Sequence, residues 1–270
     1  MRWLLRALWR VLIAYLLLCA LMFVVQRRLQ YFPVAEATGP LAASGLAAAQ
    51  VETLATPDGE RLVVWWVPPR DATQPVYLYL HGNGGRLQNR AQRFAHLVAD
   101  GAGLYAVSWR GYGGSTGTPS EAGLMTDARA AHAELLRRSR ADRIVLYGES
   151  LGTTVAVMLA AEAPVRALLL DSSFDSALAL ARDAYPWLPV SLLLRDRFRA
   201  DLAAPRVQVP VLQVHCSDDP VTPLASAQAL HSRLTRAQPI ALVDGACHVP
   251  SLARYERARV DFVRWVFAAG

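Results

Sequence analysis

Gly148-Glu149-Ser150-Leu151-Gly152 is the segment of this chain with the most chemical content. It reads G-x-S-x-G and lies directly after the apolar run Ile144 to Tyr147 and before a helical pattern that starts at Thr153. A serine between a strand and a helix sits on a tight turn, and the flanking glycines remove the side chains that would clash as the hydroxyl is pushed out above the sheet. The helix N-terminus beneath it favours developing negative charge. A hydroxyl is a weak nucleophile, so it needs a base, and the base needs an orienting acid.

On a turn of this kind the acid and the base follow the serine in chain order. Three histidines lie downstream: His215 at the end of a strand-like run, His231 within an amphipathic helical pattern, and His248 in a loop before the last helical pattern. His248, after Gly245, stands where the base is required, and the other two read as structural. Asp219 is the expected acid, because Pro220 to Pro223 opens the next helix beyond it. Asp218 and Asp171 remain as alternatives. A tetrahedral intermediate also needs N–H donors for its oxyanion. Leu151, after the serine, supplies one, and Asn83 in His81-Gly82-Asn83-Gly84-Gly85, just after the run Val76 to Leu80, is assigned the other.

Positioning these residues requires a sheet whose strands end together. Apolar runs at Val63–Val67, Val76–Leu80, Leu104–Trp109, Ile144–Tyr147, Ala167–Leu170, Val211–His215 and Ile240–Val243 alternate with helical patterns at Asn89–Val98, Glu121–Arg138, Thr153–Glu162, Leu224–Leu234 and Arg254–Phe267. That alternation predicts an α/β fold, with a mostly parallel central sheet and helices on both faces. Function then gathers at the carboxyl ends of the strands. The Leu-rich stretch 174–204, with Pro186 and Pro189, breaks the alternation and reads as a small helical cap.

Before the sheet, Val11 to Val25 is an unbroken apolar run bracketed by Arg10 and by Gln26, Arg27 and Arg28. Small residues suited to signal cleavage do not follow it closely, so one uncleaved transmembrane helix is expected. The chain divides into an anchor at 1–30, an Ala-rich linker at 31–50 and a catalytic domain at 51–270. Arg2, Arg6 and Arg10 precede the run and two arginines follow it, which orients the domain outside the cytoplasm by the positive-inside rule.

The charge balance excludes several classes. The net charge of +6 comes almost entirely from five arginines ahead of the first acidic residue, Glu36, leaving 23 basic against 22 acidic residues. A near-neutral domain offers no footprint for nucleic acid. The chain has no lysine, which excludes a P-loop lysine, a Schiff base and a Ser-Lys dyad. Cys19, Cys216 and Cys247 are too few and too scattered for a disulfide scaffold or a zinc site, and no cofactor or metal is implied. A working Ser150–His248–Asp219 arrangement brings the loops of Cys216 and Cys247 together. A disulfide between them is geometrically open, but two small buried thiols are the expected state.

Taken together, these motifs resemble the membrane-anchored hydrolases of the α/β-hydrolase superfamily that include the abhydrolase-domain depalmitoylases and lysophospholipases, with bacterial relatives. The resemblance covers Gln30-Tyr31-Phe32-Pro33, the His81–Gly85 loop, Arg110-Gly111-Tyr112-Gly113-Gly114-Ser115 with Pro119-Ser120-Glu121, and Gly148–Gly152. It continues through Tyr185-Pro186-Trp187-Leu188-Pro189 and Arg197-Phe198 to His248. The family's acid segment, H-G-x-x-D-x-x-V-P, aligns Asp219 as the acid, with Cys216 in place of glycine and Thr222 in place of valine. Arg110 and Tyr112 read as packing residues. The resemblance implies a cofactor-free serine hydrolase of lipid-like carboxylic esters or thioesters in a bacterial inner membrane. A peptidase or amidase using the same residues, and a non-catalytic binding protein of the same fold, are the alternatives.

Overall fold

The computed structural model describes residues 2–34, 36, 46 and 49–268. The chain opens with helix α1 (Arg2–Gln30), followed by the two-residue strand β1 (Phe32–Pro33) and then β2 (Gln50–Ala55), β3 (Arg61–Val67), β4 (Val76–Leu80) and the two-residue β5 (Gly84–Gly85). Next come α2 (Ala91–Val98), β6 (Gly103–Val107), α3 (Glu121–Arg138), β7 (Ile144–Glu149), α4 (Leu151–Ala160) and β8 (Ala167–Asp171). The cap contributes α5 (Ala177–Ala184) and α6 (Val190–Leu193), and α7 (Ala200–Ala203) leads out of it. The chain closes with β9 (Val211–Cys216), α8 (Leu224–His231), β10 (Ala241–Val243) and α9 (Glu256–Ala268).

Eight strands form one sheet in the order β10-β9-β8-β7-β4-β6-β3-β2. All neighbours from β10 to β6 are parallel, and β3 runs antiparallel to both β6 and β2. Every residue of β4, β6, β7, β8 and β9 is buried, which is why these strands read as continuous apolar runs rather than alternating ones. The period of two still sorts their side chains. Leu78, Leu146 and Leu168 pack with α3 and α4 on one face, while Tyr79, Tyr147 and Leu169 pack with α2 and α9 on the other.

Most boundaries follow the sequence pattern. The α3 helix runs over the expected residues, opened by Ser120 Oγ accepting from the Gly123 N–H at 3.1 Å. Three strands, β1, β2 and β5, lie where none was expected. The β2 strand is an edge strand whose residues alternate between exposed and half-buried, so Val51 and Leu54 carry too little apolar signal to stand out from a lead-in. The β1 strand is only two residues long, and its pairing with β5 stitches the segment after α1 to the His81–Gly85 loop. Most of the expected linker lies outside the described residues.

The long helix α1 is apolar and long enough to cross a membrane. Most of its large side chains are exposed, including Val11, Leu17, Leu21 and Val24.

Candidate active site

Ser150 stands between the last residue of β7 and the first of α4, with φ 49° and ψ −117°. Positive φ at a non-glycine residue costs on the order of 1–3 kcal/mol and persists only where the surroundings enforce it. They do so here. A Cβ on Gly148 would collide with Thr153, and one on Gly152 would land on the Leu80 carbonyl, so this crossing of β7 and α4 against β4 admits only glycine at both positions. The Ser150 N–H donates to Asp171 O at 2.8 Å, pinning the turn to β8.

The structure brings the three expected residues together. His248 Nδ1 lies 2.8 Å from Asp219 Oδ2 and 3.1 Å from Oδ1, and Nε2 lies 2.9 Å from Ser150 Oγ. An ionised carboxylate only accepts, so Nδ1 carries the proton, and bare Nε2 accepts from the hydroxyl. Asp219 Oδ1 also accepts from the N–H groups of Val221 and Thr222 at 2.8 and 2.9 Å, and Oδ2 accepts from Thr222 Oγ1 at 2.9 Å. Burial opposes ionisation of Asp219, but the His248 hydrogen bond and these backbone donors outweigh it and hold the carboxyl below its usual range.

The alternative acids are occupied elsewhere. Asp171 is fully buried and bound to Arg93 and the Tyr255 hydroxyl. Asp218 faces outward and accepts from Ser217 Oγ. His231 is tied to Gln213, and His215 donates from Nε2 to Thr222 O at 2.9 Å, so neither ring is bonded to Ser150.

Leu151 is the first residue of α4, so its N–H has no acceptor within the helix. The Asn83 N–H donates to no acceptor among the described residues, while the Asn83 carbonyl accepts from the Tyr112 hydroxyl at 2.9 Å and the Phe32 N–H at 3.3 Å. Both residues line one cavity with Ser150 and His248. Tyr112 therefore does more than pack, because it holds the loop that carries Asn83. Arg110 is structural as expected, bound to Asp127 and Asp58.

Sequence reasoning missed the ionic supports beneath the serine. Glu149 accepts from Arg90, the Tyr79 hydroxyl and the Gly82 N–H. Burial works against its charge, but Arg90 overrides this and brings the Glu149 carboxyl down to about 2. Arg93 binds Asp171, Tyr147 and Tyr255, and donates to Pro250 O at 2.7 Å, two residues past His248. Ser172, at φ 57°, accepts from the Val249 N–H at 2.9 Å. Arginines at helix positions carry no sequence signal for such roles.

One expectation is overturned. Cys216 and Cys247 form a disulfide, with Cα atoms 5.6 Å apart, rather than two free thiols. Cys216 ends β9 and pairs in register with Val243 of β10, so the loop returning to His248 carries Cys247 back over the strand end. Facing side chains, which sequence could not establish, follow from that register.

The cavity over Ser150 measures about 560 Å³, within the usual range for small-molecule sites, and its lining is mostly apolar, from Phe174, Leu180 and Leu188 of the cap to Met22 and Leu29 of α1. A parallel sheet, a serine on the turn after its central strand and an apolar cavity over the strand ends define an α/β-hydrolase architecture.

The family model for the alpha/beta hydrolase fold matches residues 75–209. The chain is 36% identical over 242 residues to the uncharacterised protein Rv2307c of Mycobacterium tuberculosis, covering 88% of this chain and 86% of that one. It is 29% identical over 189 residues to the rat lysophosphatidylserine lipase ABHD12, covering 63% of this chain and 48% of that one. Among solved structures, the Pyrococcus furiosus esterase Pf2001 superposes with a TM-score of 0.70 at 17% identity, covering 87% and 99%. The chain belongs to the α/β-hydrolase fold family.

Proposed function

We propose that this chain is a membrane-anchored serine hydrolase that cleaves carboxylic esters or thioesters of lipid-like acyl groups through an acyl-enzyme. Ser150 Oγ adds to the acyl carbonyl as His248 Nε2 takes its proton, and Asp219 holds the imidazole and stabilises its charge. The N–H groups of Leu151 and Asn83 face the oxyanion. The tetrahedral adduct collapses as His248 returns the proton to the leaving alkoxide or thiolate. Water, deprotonated by the same nitrogen, then attacks the acyl-enzyme and frees the acid and Ser150.

The observation that carries this reading is the unbroken row Ser150 Oγ, His248 Nε2, His248 Nδ1 and Asp219 Oδ2, with links of 2.9 and 2.8 Å, opening into an apolar cavity. The similarity to a lipase and an esterase supports the acyl substrate class. We place the domain outside the cytoplasm, in a bacterial inner membrane. The arginine bias around α1 supports that orientation, and so does the Cys216–Cys247 disulfide, which persists in oxidising compartments. A fluorophosphonate probe on the full chain should label Ser150 and block hydrolysis of p-nitrophenyl acyl esters. Labelling that persists in Ser150→Ala would remove the assignment.

A further inference from the structure

An anchor needs only to hold a domain to a membrane, yet α1 forms part of the wall of the cavity over Ser150 through Met22, Gln26, Leu29 and Gln30. It is clamped to the cap at several heights. The Gln26 amide donates to Leu193 O at 3.1 Å and accepts from the Arg195 N–H at 2.8 Å. Arg27 forms a forked pair with Asp196 at 2.7 and 3.0 Å, and Gln30 donates to Asp196 O at 2.9 Å. Much further along the helix, the Tyr15 hydroxyl donates to Trp187 O at 3.0 Å. From Gln30 to Tyr15 is about 22 Å of helix at 1.5 Å per residue, so the cap lies beside half of α1.

The outer surface of this assembly is apolar. Tyr185 is 41% exposed, Trp187 54% and Leu192 81%, and α1 itself exposes Leu17, Leu21 and Val24. The cap apex, Tyr185 to Pro189, also meets most of the demand that lipid makes on a backbone, with only the Trp187 N–H and the Pro186 carbonyl lacking a partner among the described residues. Pro186 and Pro189 have no N–H, Tyr185 donates to Ala181 O, Leu188 donates to Tyr185 O, and the Trp187 carbonyl is taken by Tyr15. Charge stops one turn earlier, at Arg182 and Asp183, and the Arg182 guanidinium donates to Ser191 Oγ at 2.8 Å. Exposed Tyr and Trp at such a boundary are what a membrane interface selects.

Resting on the serine-hydrolase reading above, we propose that the cap apex is inserted in the bilayer beside α1. The cavity takes its acyl chain sideways, from an ester already dissolved in that leaflet rather than from water. The helix α1 is then the membrane-facing wall of the acyl site.

The full chain, reconstituted in phosphatidylcholine vesicles, tests this in two ways. A fluorophore on Leu192→Cys, in a Cys19→Ala background, should be quenched by lipids brominated on their acyl chains. A fluorophore on Leu136→Cys, at the far end of α3, should not. The double variant Trp187→Asp/Leu192→Asp, which alters no cavity-lining residue, should lose tenfold or more in kcat/KM on a long-chain ester held in the vesicles. Its hydrolysis of p-nitrophenyl acetate in water should stay within twofold. An unquenched Leu192 probe, or equal effects on both esters, overturns the proposal. If the double variant does not fold, the quenching measurement decides alone. Wild-type protein inert to both esters and to fluorophosphonate would instead bring down the hydrolase reading itself.

Discussion

Asp219→Asn is the substitution whose effect the geometry determines most closely. Oδ1 of Asp219 is fixed by two backbone N–H donors, from Val221 and Thr222, and those donors require an oxygen. The asparagine carbonyl oxygen must take that place, which turns its NH₂ toward His248 Nδ1. An NH₂ can only donate, so Nδ1 gives up its proton and the neutral ring carries it on Nε2. Nε2–H then points at Ser150 Oγ, 2.9 Å away, and cannot accept the proton of the nucleophile. Loss of the orienting carboxylate with the wrong tautomer trapped costs about 10⁴ in kcat, or roughly 5 kcal/mol of activation free energy. Because the backbone bonds to Oδ1 survive, the thermal midpoint should stay within a few degrees. Steady-state hydrolysis of p-nitrophenyl butyrate, with melting curves on the same samples, measures both quantities. A folded Asp219→Asn enzyme within tenfold of wild type, or an Asp218→Asn enzyme more damaged than it, would refute the reasoning.

Other expected outcomes rest on single structural features. Glu149→Gln strips the partner from buried Arg90 and should cost about 3–5 kcal/mol of stability, seen as a fall of roughly 10 °C in the thermal midpoint; a shift under 2 °C would show the pair to be dispensable. Removing the Cys216–Cys247 bridge with a double alanine variant should cost about 3–4 kcal/mol, from the loop closed by its separation of 31 residues, measured by urea unfolding; unchanged unfolding would show that the bridge adds nothing. Burial, with help from Arg90, pushes His81 down to about 3 in the folded chain, against about 6.5 unfolded. Only the unfolded chain gains that proton as pH falls below 6.5, so stability is full above 6.5 and drains toward pH 3, by about 2 kcal/mol at pH 5. His81→Gln should flatten that part of the stability curve, and an identical slope in the variant would exclude His81 as its source.

The parts of the site that were legible in the sequence are those that obey local rules. Ser150 is marked by two glycines that a crowded turn requires, and His248 and Asp219 by their places after strands. Both are properties of a few consecutive residues. Arg90, Arg93 and Ser172 escaped because their roles depend on which distant groups the fold lays beside them. Arg93 sits on α2 yet binds groups on β7, β8 and the loop after His248, contacts that no periodicity encodes. The disulfide escaped for a related reason: proximity of the two loops followed from the chemistry, but the facing of the side chains depends on the β9–β10 register. Likewise α1 read as an anchor because its composition says so, whereas its place in the cavity wall depends on what packs against Met22 and Gln26.

Glu149 shows how the motif and its supports become one unit. It is the first of the two variable residues of the Gly148–Gly152 segment, with no chemistry demanded of its side chain, yet its carboxylate is bonded to three separate elements: Tyr79 on β4, Arg90 just before α2 and the Gly82 N–H of the Asn83 loop. The Gly82 contact is close enough that a Cβ there would come within 2.9 Å of Glu149 Oε1 and 3.2 Å of the Ser150 Cβ. The Asn83 loop is thus held at a fixed distance from Ser150 by the residue that precedes the serine, and Tyr112 and Phe32 fix it from the other side. Phe32 lies two residues past Gln30, the clamped end of α1. A single chain of contacts therefore runs from the helix proposed to meet the membrane, through the loop proposed to bind the oxyanion, to the carboxylate beneath the proposed nucleophile.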